Sequence, residues 1–291
     1  MTAPTDLERP EGDRQSQESR PDAGSGTPKL RLGGMALRNG LLVHGPTRWV
    51  IACRRGDGTI GVASGRKPKV RGVEKVPGLR GIARLGEAMA VIPLAKRALP
   101  EARLPFADVR VLGAVAATSL GVRALRAGGR GGRLGTEVGS AVLSLAPGLI
   151  ALRGGDLAAY HGVEHKAIAA YERDEGGREG IADAAKEHDR CGSHLMAPLL
   201  TLNVAGAALL SRVVERPGPA HQALLSLGSM GAAVEVFAWA ERNPDSKVTH
   251  ALRVPGHELQ RVVGTREPTE TQLEVGRAAL AEILRVEGEP T

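Results

Sequence analysis

Aromatic residues are almost missing from this chain: two each of Phe, Trp and Tyr, 2% of 291 residues. A core must therefore be built from Leu, Val and Ala. The same scarcity argues against a single-stranded nucleic-acid binder, which needs ring faces for bases to stack on. Cysteine is nearly absent too. Cys53 and Cys191 are the whole complement, too far apart in sequence to suggest a disulfide framework, so a reducing compartment is the simpler setting. There is no internal repeat, no phosphate-binding glycine loop and no serine-nucleophile elbow. Residues 1–28 contain no apolar run and are rich in Pro, Gly, Ser, Asp and Glu. That composition predicts a disordered tail. It also lacks the basic start and apolar middle of a signal peptide, so export by that route is not expected.

What is present is 42% apolar residues and a formal charge of +7. The length suits one large domain or two small ones. Excess positive charge favours anionic surfaces, and the lack of stacking residues ranks a membrane surface above nucleic acid. Membrane lipid or membrane proteins are the partners expected, at the cytoplasmic face of the plasma membrane or within it.

From Gly33 short apolar runs alternate with turn residues. Leu41-Leu42-Val43, Arg48 to Cys53 and Thr59 to Val62 are divided by Gly45-Pro46 and Gly56-Asp57-Gly58. The second divider is a hairpin signal, because Gly and Asp tolerate the positive φ of a tight turn. A small β element over 29–75 follows, ending in a basic connector and a Pro77-Gly78 turn. Leu79, Ile82, Leu85 and Met89 then predict an amphipathic helix to about Leu99, kinked at Pro93. Four apolar segments come next, near 111–122, 138–152, 195–210 and 223–240. Each looks short or diluted for a bilayer span, which takes about 20 residues. The linker arginines Arg123, Arg126, Arg130 and Arg133 compete with the basic region before Val111 for the cytoplasmic side. A final helix through Leu273, Val275, Ala278, Leu280 and Leu284, capped by Thr269 or Thr271, closes the chain. The fold class expected is mainly α, with a small N-terminal β-meander and short apolar helices suited to membrane embedding. Residues 76–291 form the helical, membrane-associated part.

The chemistry centres on Tyr160-His161-Gly162-Val163-Glu164-His165-Lys166. On a helix, His161 and His165 project from one face, where two neutral imidazoles reach one metal ion. Glu164 beside them is the candidate general base. The H-x-x-E-H order inverts the zinc-protease signature. Two solvated or core histidines would look the same in sequence. A second cluster, His188-Asp189-Arg190-Cys191, offers an imidazole and a thiolate to complete a shell. Glu235 stands in an apolar setting, where a carboxylate is costly unless paired, protonated or metal-bound. It is a further candidate ligand, though a helix-paired glutamate would look alike.

These residues resemble the YqhQ family of bacterial membrane proteins. The resemblance runs from about Gly33 to Leu284. It rests on the Tyr160–Lys166 motif with Tyr171-Glu172, and on His188-Asp189-Arg190-Cys191-Gly192-Ser193. Gln260, Thr265-Arg266-Glu267-Pro268 and Gln272-Leu273-Glu274 also match, as do Pro77 to Gly81 and Glu235. The family has no established activity and is regarded as a metal-dependent enzyme, with apolar segments taken as transmembrane. Departures are plain: Met35, Asn39 and His44 replace polar residues of the family's early stretch, Asp189 replaces a proline, and His194 is not a family histidine. The combined expectation is a divalent metal, zinc by donor type, on His161 and His165. His188, Cys191 or Glu235 would complete the shell, with Glu164 as base in a hydrolytic reaction. The competing expectation is a membrane scaffold or regulatory protein in which the cluster is structural.

Overall fold

The computed structural model describes residues 29–70, 72, 79–128, 132–153, 155–173, 180–215 and 217–288. The expected N-terminal tail and the Pro77-Gly78 turn lie outside them. The rest is mainly helical, with the small antiparallel sheet at its N-terminal end.

The sheet is a meander of β1 (Gly33–Leu37), β2 (Gly40–His44), β3 (Arg48–Arg54) and β4 (Ile60–Arg66), each strand paired with the next. The Gly56-Asp57-Gly58 signal holds: Gly58 has φ 85° and the Asp57 carboxylate accepts the Thr59 N–H. β1 escaped the sequence reading because Gly33-Gly34-Met35 has little β-propensity. It is held by its register on β2, Met35 opposite Leu42 and Leu37 opposite Gly40.

Alternation along the strands sends apolar side chains to both faces. Ala36, Leu41, Val43, Val50 and Ala52 pack with helices α5 (Asp156–Arg173) and α9 (Glu270–Gly288). Leu37, Leu42, Trp49, Ile51 and Cys53 pack with Val91, Ala95 and Leu99 of α1 (Leu79–Ala98). Helix α1 runs on through Pro93. Cys53 is thus a fully buried core residue. At α9 the Gln272 side chain takes the Thr269 N–H, so Thr269 rather than Thr271 marks the start.

Helix α5 is enclosed on nearly every side, from Leu157 to Ala170. Its moderate hydrophobicity is therefore misleading: Glu164, His165 and Lys166 are buried polar groups that need partners. Lys166 has them, donating to the Ala182 carbonyl at 2.9 Å and meeting Glu267 at 2.6 Å.

The apolar segments form α2 (Val109–Gly128), α3 (Gly132–Leu143), α4 (Ala146–Leu152), α6 (Met196–Val213) and α7 (Pro219–Arg242). Gly135–Leu152, Gly192–Val213 and Pro219–Arg242 are long and apolar enough to cross a membrane. They are longer than the segments the sequence suggested, and they are not a core: at most 22% of any of these stretches is buried. Leu209, Leu224 and Leu227 stand exposed. A helix the sequence reading passed over, α8 (Lys247–Leu259), is capped by Ser246, whose hydroxyl accepts the Val248 N–H.

Candidate metal centre

His161 and His165 lie one turn apart on α5 with ring centroids 4.3 Å apart. Each ring is fixed by its Nδ1. That of His161 bonds the Gly264 carbonyl at 2.8 Å, and that of His165 the Lys186 carbonyl at 2.6 Å. A carbonyl only accepts, so each Nδ1 carries the proton in these bonds and the neutral ring's Nε2 keeps its lone pair. This is the arrangement by which an outer hydrogen bond orients a ligating histidine.

Cys191 comes to them from the chain between α5 and α6. It caps a 3-10 turn, Gly192–Leu195, and its Sγ stands 3.4 Å from His161 Nε2. Ligand atoms of His161, His165 and Cys191 all lie within 4.8 Å of one another. Zinc bond lengths of about 2.0–2.1 Å to nitrogen and 2.3 Å to sulfur place tetrahedral donors roughly 3.4–3.6 Å apart. The His161–Cys191 separation matches that already. Two imidazoles and a sulfur grouped this closely fit a borderline-soft divalent ion, and no fourth donor joins the group among the described residues.

Two features position the triad. Gly162 lets the Arg266 carbonyl approach α5: a Cβ there would stand 2.4 Å from that oxygen. The same approach lets Arg266 N–H donate to the Ala158 carbonyl and brings Gly264 beside His161. The second feature is Gln260, fully buried at the start of a π-helical turn, Gln260–Gly264. Its side chain accepts the His188 N–H at 2.8 Å and donates to the His188 carbonyl at 3.1 Å and the Ser193 hydroxyl at 2.8 Å. One residue thus ties the segment carrying Cys191 to the turn that orients His161. In the sequence Gln260 stands out only through the resemblance; a lone glutamine gives no spacing signal. Gln260→Leu should weaken zinc affinity about 10–100-fold, the usual cost of an outer partner. Competition with a chromophoric chelator measures it, and unchanged affinity would remove Gln260 from the site.

Burial lowers the His165 pKa to about 2, with the charge of His161 adding to it, so the ring is neutral at ordinary pH. Burial also pulls on His161. The hydrogen bond and charge of Cys191, then Glu164 and the Gly264 carbonyl, outweigh it and raise this pKa to about 9. Glu164 is buried, and burial raises its pKa, opposed by His161 and His188. Its Oε2 sits 3.9 Å from His161 Nε2, near the triad but not within it. Gly34 of β1, itself exposed, faces this carboxylate; a Cβ there would be 2.7 Å from Oε1.

The other candidates stand apart. His188 is close, its ring centroid 5.8 Å from that of His165. Both its nitrogens are engaged, Nδ1 accepting the Arg190 N–H and Nε2 bonding Glu172 at 3.1 Å. Glu235 is half-buried on α7 and is not in the triad. His194 is buried beside Gln260 and His257.

Residues 156–286 match the family described as "Protein of unknown function (DUF1385)". Over 135 residues the chain is 31% identical to "Uncharacterized protein YqhQ" of Bacillus subtilis (strain 168), covering 44% of this chain. The match spans 40% of that relative's own length. No solved structure matches the chain.

Proposed function

We propose, from the likeness of residues 156–286 to a YqhQ-like family of unknown function, that this chain is a membrane-associated, metal-dependent hydrolase. The observation that carries this reading is the orientation of the two imidazoles. Both Nδ1 atoms are spent on carbonyls, and His161 Nε2 meets the Cys191 sulfur at 3.4 Å. His161, His165 and Cys191 hold the ion, zinc by donor type. When bound, such an ion acidifies a water and polarises a carbonyl or phosphoryl oxygen. Glu164 takes the proton of the attacking water, and the burial that raises its pKa strengthens it as a base. A structural zinc site is closed by four protein ligands. Three in the group among the described residues favour catalysis over a scaffold.

Uptake of zinc at neutral pH must expel the proton that His161 holds up to about 9. Apparent affinity therefore rises with pH up to that value, about tenfold per unit for one proton displaced. Zinc also shields the sulfur. Cys53 has no exposed surface whereas Cys191 keeps 9%, so iodoacetamide labelling of native protein reports Cys191. Labelling should slow at least tenfold on adding one equivalent of zinc. Equal rates with and without zinc, and affinity flat between pH 6.5 and 8.5, count against the site.

The membrane reading follows from connectivity. The sheet, α5 and α9 share one core, while α2 to α4 and α6 to α7 leave it and return. Two hairpins inserted from one side satisfy this, with α2 as a fourth segment beside the three long apolar ones. Its Arg110, Arg123 and Arg126 lie near its ends, where long side chains reach headgroups, and Arg126 pairs with Glu137 of α3 at 3.0 Å. The protein should stay in the membrane pellet after alkaline carbonate extraction. Recovery as a soluble monomer without detergent contradicts this reading.

A further inference from the structure

A cleft of about 750 Å³ opens beside the sheet, far larger than a water site, between the chain at 29–31, the ends of β2 and β4, and α1. Among the described residues lining it, Lys29, Arg31, Lys67, Lys69 and Arg84 face one carboxylate, Glu87. His44, on the same wall, is held near pKa 4, first by burial and then by Lys67, and adds no charge at neutral pH. Part of the positive charge is already used. Arg31 pairs with Glu241 at 2.6 Å, and Lys29 donates to the Tyr171 and Glu172 carbonyls. Glu87 and Glu241 answer two of the five cations, and Glu287 stands against Gly45 of the wall, close to Lys67; a positive excess still remains. In a concave, partly desolvated wall that excess focuses the field on an anion.

The place of the cleft matters as much as its charge. Glu241 lies at the C-terminal end of α7, and Gly81 of α1 packs against Val234 of the same helix. The cleft therefore sits beside one end of a segment apolar enough to span a bilayer, at headgroup height if α7 crosses. Guanidinium and ammonium groups at that level suit phosphate oxygens.

We propose that this cleft binds a phosphate monoester, carried either by an anionic lipid headgroup or by a small soluble metabolite. It requires nothing of the metal centre. The test uses the full chain in non-ionic detergent, titrated calorimetrically at low salt. The probes are dioctanoyl phosphatidic acid, sn-glycerol 3-phosphate and dioctanoyl phosphatidylcholine. Lys69 and Arg84 are both exposed, so Lys69→Gln/Arg84→Gln keeps the fold, as a melting curve will verify. Wild type should bind at least one phosphate monoester more tightly than phosphatidylcholine, and the double variant should bind it at least tenfold more weakly. Arg97→Gln/Arg103→Gln removes the same charge from exposed residues that do not line the cleft and should shift affinity less than twofold. Binding of phosphatidic acid alone identifies a headgroup site; comparable binding of glycerol 3-phosphate identifies a soluble ligand. No preference for either monoester over phosphatidylcholine, or equal loss in both double variants, overturns the proposal.

Discussion

His165→Ala is expected to leave the protein unable to retain zinc and measurably less stable. The ring is almost fully buried and supplies one of three donors. Even an outer hydrogen-bond partner is worth about 10–100-fold in affinity, so loss of a ligand should exceed a hundredfold. The substitution also leaves the Lys186 carbonyl without its donor and opens space in the core. Large-to-small changes of that kind cost about 2–5 kcal/mol. Two readouts separate the effects. Zinc should raise the melting temperature of wild type and leave that of His165→Ala unmoved. Asn203→Ala on α6, away from the site, should respond like wild type. Equal stabilisation of His165→Ala and wild type would remove His165 from the ligand set.

Glu164→Gln is expected to behave in the opposite way, retaining zinc and the fold while losing turnover. Its carboxylate is 3.9 Å from His161 Nε2 and outside the close group, so removing its charge leaves the donors in place. A general base contributes about 10²–10⁴-fold to rate. Hydrolysis of a generic ester or phosphodiester substrate, found first with wild type, should fall by that factor. Melting should shift little, because an amide replaces a buried carboxylate of the same shape. Loss of zinc in Glu164→Gln would make Glu164 a ligand and leave the reaction without a base.

The sequence carried more of this than its composition suggested. Helical spacing put His161 and His165 on one face, and the second cluster supplied Cys191, whose placement beside them needed the fold. Turn chemistry located β2 to β4, since Gly and Asp at 56–58 serve no other purpose so well. The hidden parts depend on approach rather than pattern. Gly162 reads as a weak helix residue until the Arg266 carbonyl is seen against it. Gln260 acts through three hydrogen bonds to His188 and Ser193, both more than sixty residues away, and no local window contains them. His188 and Glu235 were candidate ligands by residue type; His188 turns its nitrogens to Arg190 and Glu172, and Glu235 is not in the close group. The β1 strand was hidden because its pairing, not its residues, makes it a strand.

Hydrolysis through Glu164 depends on a bound metal, so the metal content of the purified protein is the decisive measurement. Full-length wild type and His161→Ala should be purified without chelator, exposed to one equivalent of zinc at pH 8, desalted and measured by plasma mass spectrometry. The site described here predicts close to one zinc per wild-type chain and less than about a tenth in the variant, since two remaining donors hold zinc weakly. Wild-type protein that comes through metal-free, or a variant that keeps as much zinc as wild type, would contradict it.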